Sequence, residues 1–146
     1  MPFPEAVEIA KYIKNNSGPD DKIAVLGSEP EIYFYSHRRS ASAYIYVYSI
    51  VEPQPYAADM QREMISQIEA AKPKFIVDVK CYNSWLLMPD SEKLIFEWMR
   101  EYLPIHYRQV GLVEIFFPAG QTVYTWTSTA EPLKKEGYLL IYKRID

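Results

Sequence analysis

Lys22-Ile23-Ala24-Val25-Leu26-Gly27 is a short apolar run with a charge at its head and a glycine turn at its end. Length and composition predict a buried strand. Upstream, Ala6, Ile9, Ala10 and Ile13 recur at i, i+3, i+4 and i+7, the stripe of an amphipathic helix. Pro4 suits its first turn, where a missing N–H costs nothing, and Gly18-Pro19 stops it. Downstream, Glu29-Pro30 opens a short second helix through Glu31–Ser36. Helix, strand, helix is thus set within the first quarter of the chain, and the rest extends the alternation.

Ala43–Ile50 alternates, with Tyr44, Tyr46 and Tyr48 on one face and Ile45 and Val47 on the other, which predicts an edge strand. Glu52-Pro53-Gln54-Pro55 is a stiff connector. Ala57, Met60, Met64, Ile65 and Ile68 mark a helix to about Ala71, closed by Pro73, and Phe75-Ile-Val-Asp-Val79 is the next strand. A loop over Cys81–Asp90 leads to a helix capped by Asp90 or Ser91, striped by Leu94, Ile95, Trp98, Met99 and Tyr102, and ended by Pro104. Strands follow over Tyr107–Phe117, Thr122–Thr127 after a Pro118–Gly120 turn, and Leu139–Arg144. The order α-β-α-β-α-β-α-β-β-β predicts one α/β domain over residues 1–146. Its expected architecture is a three-layer Rossmann-like one: a mostly parallel central sheet, helices on both faces, and an antiparallel C-terminal edge.

The 146 residues carry 16 Lys+Arg against 19 Asp+Glu, a net charge of −3, with 49% hydrophobic and 24% charged residues. That balance excludes a disordered chain and argues against a nucleic-acid partner, which would call for clustered positive charge. The single cysteine, Cys81, excludes a disulfide scaffold and a multi-cysteine metal site. The longest charge-free stretch, Ile115–Ala130, is broken by Pro118, Gly120 and Gln121 and falls short of the ~20 apolar residues of a membrane span. Met1–Glu5 runs straight into helix with no secretory signal.

No catalytic set, metal site or cofactor motif is legible. His37 and His106 have no carboxylate or cysteine at ligand spacing. Asp59 and Glu63 share a helix face with Arg62 between them. Cys81 follows a strand, where a nucleophile can be displayed, yet a lone cysteine is more often a small buried hydrophobe. In open α/β sheets ligands sit beyond the carboxyl ends of strands, which points to Gly27-Ser28-Glu29-Pro30 either as a plain strand-to-helix turn or as an anion site. Six tyrosines fall between Tyr33 and Tyr56, and Arg38-Arg39 lies among them. The expected binding surface is therefore Ser28, Glu29, Tyr33, Arg38, Arg39 and Tyr46, against the plainer alternative of core packing and a charged turn.

The run Pro2–Ile13, followed by Gly18-Pro19-Asp20-Asp21-Lys22 and on through Gly27-Ser28-Glu29-Pro30-Glu31-Ile32-Tyr33-Phe34-Tyr35-Ser36, resembles a known pattern. It is similar to the soluble C-terminal region of bacterial membrane glycosyltransferases of the protein-mannosyltransferase and lipid A aminoarabinose-transferase type. The likeness covers about the first 80 residues and includes Phe75–Val79. It departs at His37, where a glycine often stands.

The resemblance implies a polytopic parent that takes sugar from a polyprenyl-phosphate carrier. Its catalytic residues would lie in a membrane-embedded half that this chain lacks, with Met1 a cut within a longer protein. On that view the chain is a non-catalytic, extracytoplasmic domain at the bacterial cytoplasmic membrane, covering the active site or aiding acceptor recognition. Its partners would be the membrane-embedded part and a sugar or lipid-phosphate headgroup. The competing expectation is a free-standing domain or enzyme that takes a sugar phosphate or nucleotide near Gly27–Arg39.

Overall fold

The structure, a computed structural model, describes residues 3–116 and 120–146. Helices and strands follow in the order α1 Phe3–Asn15, β1 Ile23–Leu26, α2 Glu31–Ser36, α3 Tyr48–Val51, α4 Ala57–Ala71, β2 Phe75–Lys80, α5 Tyr82–Trp85, α6 Leu94–His106, β3 Tyr107–Phe116, β4 Gln121–Thr125 and β5 Tyr138–Arg144. The five strands form one open mixed sheet in the order β1-β2-β5-β3-β4. Of the expected Pro118–Gly120 turn, Pro118 and Ala119 lie outside the described residues.

Alternation along the strands divides the core. Ile23 and Val25 of β1, Phe75, Val77 and Val79 of β2, and Leu139 and Ile141 of β5 pack with Ile9 and Ile13 of α1 and Ile32 of α2. Ala24, Leu26 and Ile76 point the other way and pack with Met64 and Ile68 of α4 and Ile95, Met99 and Leu103 of α6. At β1 and β2 both sets are almost fully buried, so these strands read as unbroken apolar runs.

The expected mostly parallel sheet is corrected: only β1 and β2 pair in parallel, and the other three pairings are antiparallel. The reason lies in β5. Being antiparallel to both β2 and β3, it sits between them, so β3 runs in the same direction as β1 and β2 without touching either. The helix alternation therefore gives the strand directions, and the return of β5 into the sheet decides the pairings. The C-terminal strands accordingly fill the centre as well as the edge, where β4 lies.

The Ala43–Ile50 strand is also corrected. Its buried residues are Val47 and Ile50, joined just beyond it by Val51 at i, i+3 and i+4, and the three pack inward along α3, which Val47 precedes, whereas Ile45 and Tyr46 are exposed. Burial of the aliphatic trio outweighs the period of the tyrosines. The outer edge of β1 is closed differently: Ile23 N–H donates to Arg39 C=O (3.0 Å), Ala41 N–H to Ile23 C=O (2.8 Å), and Val25 N–H to the Tyr33 hydroxyl (2.8 Å). A tyrosine oxygen and three residues of loop take the place of an edge strand.

α6 departs from expectation at both ends. It runs through Pro104 to His106, closed by Tyr107 N–H on Leu103 C=O; the proline costs a hydrogen bond to Arg100 C=O and crowds that carbonyl, and in the last turn the helix carries on past it. Its start has no side-chain cap from Asp90 or Ser91, and Ser91 Oγ instead accepts Met88 N–H at 2.9 Å. The open N–H of Ile95 donates to Gln61 Oε1 of α4 at 2.8 Å, and Gln61 Nε2 donates to Ile50 C=O (2.7 Å) and Glu92 C=O (2.9 Å). This fully buried amide fastens α3, α4 and the head of α6 together. Gln61→Leu keeps the volume and strands those three backbone groups. Urea unfolding should show a loss of about 3 kcal/mol, where substitution of an exposed residue of the same helix such as Ser66 would lose next to nothing.

Candidate functional site

β1 and β2 end side by side, Leu26 opposite Asp78, and the two segments that leave them are locked together. Ser84, in α5, is the lock. Its Oγ accepts the Ser28 N–H at 2.9 Å and its hydroxyl donates to Glu29 Oε2 at 2.8 Å. The Ser28 hydroxyl oxygen in turn accepts Val47 N–H at 3.1 Å. Ser28, Glu29 and Ser84 are fully buried. Gly27 is required by this closeness: a Cβ there would collide with the Glu29 carboxyl, and would stand 2.6 Å from both Ser84 Oγ and a Val79 methyl.

The turn after β1 is therefore filled from within. The space an anion would occupy holds the carboxyl of Glu29, whose Oε1 has no partner. Burial raises Glu29 from 4.5 to about 7, against the Ser84 hydrogen bond, and the nearby Glu31 adds to the rise. A carboxyl with this titration is usual in catalytic sites, yet here solvent does not reach it.

The other expected binding residues separate. Arg38 is buried and spends every N–H inward: Nε on Ser17 Oγ (2.8 Å), Nη1 on Ser36 and His37 C=O (3.3 and 3.1 Å), Nη2 on Lys14 and Ser17 C=O (3.2 and 2.9 Å). Two of those carbonyls lie at the C-terminal end of α1, where a cation is favoured by the helix dipole. No donor remains for a ligand. Tyr33 uses its oxygen on β1, while Arg39 and Tyr46 are exposed. His37, where the resemblance expects glycine, caps α2 in the left-handed region at φ 57°.

Beyond the lock, two cavities flank Cys81 and Tyr82. One, of about 590 Å³, is lined by Glu5, Asn83, Thr122, Lys134 and Glu136 among others; there Thr122 Oγ1 donates to Glu5 Oε1 at 2.5 Å, and the Lys134 ammonium donates to Ile115 C=O. The second, of about 570 Å³, is lined by Lys80, Trp85, Phe96, Arg100 and Lys135, with Glu136 common to both. Both lie at the carboxyl end of β2, the place the strand-end rule indicates. Cys81 is half-buried, and burial, with the charge of Glu29, lifts its thiol to about 11, so it is a poor nucleophile at neutral pH. Among the described residues no three His, Cys, Asp or Glu side chains converge as metal ligands, and no helix is long and apolar enough to cross a membrane. Compared with protein-family models, curated proteins and solved structures, the chain matches none.

Sequence reading missed Ser84, Glu5 and the cavities, which depend on partners 55 to 117 positions away in the chain. Asp78 left a signal: a lone charge inside the apolar run Phe75–Val79.

Two outcomes follow from the titrations. Because Glu29 binds its proton more tightly folded than unfolded, its contribution to stability is full below about pH 4.5 and is lost as pH rises to about 7. Glu29→Gln should remove that part of the slope, so urea midpoints of the variant improve relative to the parent between pH 5 and pH 8; parallel profiles would show that the carboxyl is ionised throughout. Cys81 should react with iodoacetamide far more slowly at pH 8 than an unfolded thiol does, accelerating as pH approaches 11.

Proposed function

We propose that this chain is the non-catalytic, extracytoplasmic C-terminal domain of a polytopic bacterial membrane glycosyltransferase that draws sugar from a polyprenyl-phosphate carrier. In this reading it has a three-layer Rossmann-like build, faces the membrane-embedded half of the same protein, and covers the active site or helps hold the acceptor. The sequence resemblance over Pro2–Ser36 motivates the proposal, and the described residues of that run, 3–36, form α1, β1, the buried Gly27–Glu29 turn and α2.

The observation that carries the reading furthest is an aromatic group at the head of α1. Phe3, Phe34 and Tyr35 are 50%, 73% and 39% exposed, and their rings meet edge to face with centroids 6.0 Å (Phe3–Tyr35) and 5.1 Å (Phe34–Tyr35) apart. In the proposed parent the last membrane span would lead into α1, which puts these rings at the membrane boundary. Aromatic side chains favour that depth, with apolar bodies and, for tyrosine, a polar tip.

The natural gene provides the first test. Its reading frame ahead of Met1 should encode several spans of ~20 apolar residues, and a frame that opens at Met1 with none overturns the proposal. In the full-length protein, Phe34→Asp should lower glycosyl transfer while leaving the melting temperature of the soluble domain within about 2 °C of the parent, as expected for an exposed site.

A further inference from the structure

The two edges of the sheet are finished differently. At β1 the loop through Arg39 and Ala41 takes up the N–H and C=O of Ile23, and the Tyr33 hydroxyl takes up the N–H of Val25. At the far edge β4 pairs with β3 alone. Its other side has no backbone hydrogen bond or bridge among the described residues.

Which groups of β4 stand open follows from the register. Ile115 N–H donates to Gly137 C=O, so Ile115 faces the β5 side of β3, and by alternation Glu114 faces β4. Glu114 stands opposite Val123, which makes theirs a hydrogen-bonded pair. Thr122 and Tyr124 therefore turn their N–H and C=O groups away from the sheet.

An open edge is normally blunted by a lysine, a proline, a bulge or a covering element. Gln121-Thr122-Val123-Tyr124-Thr125 carries no charge and no proline, and its register with β3 has no bulge. The strand is also held straight at both ends. Thr122 Oγ1 donates to Glu5 of α1, and Trp126, just past β4, stacks on Tyr12 of α1 with ring centroids 4.1 Å apart. Val123, which alternates to the other face, is 38% exposed.

Open amides and carbonyls at strand spacing are met by the backbone of another strand, and β4 is itself such a strand. Antiparallel pairing about Val123 sets Thr122 of each copy opposite Tyr124 of the other. All four open groups of each chain are then bonded, and nothing beyond β4 is needed. The two Val123 side chains meet as a non-hydrogen-bonded pair, the closer kind, with no charge in the strand to oppose it. This self-match favours a second copy over an unrelated strand. We propose that the chain forms a two-fold dimer through β4, which joins two five-stranded sheets into one. Five residues a side make a small interface, and the charge of Glu8 on α1, which reaches Tyr124, is repeated across the axis. The dimer is therefore weak and tightens with salt. The proposal does not depend on the glycosyltransferase reading, and either can fail alone.

Sedimentation equilibrium of the chain tests it, with amide exchange followed by NMR to locate the contact. The expected result is a monomer–dimer equilibrium with a Kd of about 1 mM or tighter, strengthened by added salt. The amides of Thr122 and Tyr124 should exchange at least about twofold more slowly at ~1 mM chain than at ~0.05 mM. Val123→Lys sets like charges face to face across the axis from an exposed position. It should weaken the dimer at least about tenfold and leave the melting temperature of the dilute chain within about 2 °C of the parent. A chain that stays monomeric to about 1 mM at high salt overturns the proposal. So does a dimer that leaves the Thr122 and Tyr124 amides at their dilute rates, or one that Val123→Lys leaves unchanged.

Discussion

A single hydroxyl, that of Ser84, holds the carboxyl ends of the parallel strands together. It accepts from one backbone amide after β1 and donates to the buried carboxyl two residues into the same turn. Much else is constrained by it. Gly27 can carry no side chain because the hydroxyl and the carboxyl occupy the space beside it. Ser28 must turn its own oxygen toward Val47, which fixes where the chain goes into α3. α5 is only four residues long, yet its serine and its Trp85, whose indole donates to Val79 C=O at 2.9 Å, place it directly under the end of β2. The cost is a carboxyl with one oxygen unsatisfied in the interior, and burial shifts it toward the protonated form, up to about 7.

The long helices α1, α4 and α6 and the strand β2 were legible because each rests on local information, whereas α3 was read as strand and α5 as loop. The apolar stripes of α1, α4 and α6 have the helical period, and Phe75–Val79 is apolar on both faces except at Asp78. What could not be read locally is the partner of each strand. β5 is joined to β4 by a loop, and nothing in its own sequence says that it will enter between β2 and β3. The Ala43–Ile50 segment failed for a related reason. Two periods are superimposed there, tyrosines every second residue and Val47, Ile50 and Val51 at helical spacing, and the one that is buried prevails.

The candidate site was legible as a place and illegible as chemistry. Position after β1 pointed to Gly27–Glu29 as a turn or an anion site, and the structure gathers buried polar groups there. The sequence carried no sign that the groups would face each other, since Ser84 lies more than fifty residues away. Arg38 shows the same limit. Beside an exposed Arg39 and a cluster of tyrosines it reads as a surface cation, whereas its five N–H groups close the end of α1 and the turn after α2. Charge alone does not say which way an arginine points; the supply of unpaired carbonyls around it does.

Two buried carboxyls, Glu29 just after β1 and Asp78 within β2, have different neighbours. Glu29 faces a serine and packed chain, with no side-chain cation paired to it among the described residues, so burial raises its carboxyl to about 7. Asp78 was given a lysine at 3.2 Å, and that ammonium, 35% exposed, reaches it across a cavity wall. A sheet that needed only packing at this position would have been served by valine, the residue on either side of Asp78. Burial raises the Asp78 carboxyl as it raises Glu29, and here the Lys80 ammonium opposes that rise, so a neighbouring cation takes the part that the Ser84 hydroxyl takes at Glu29.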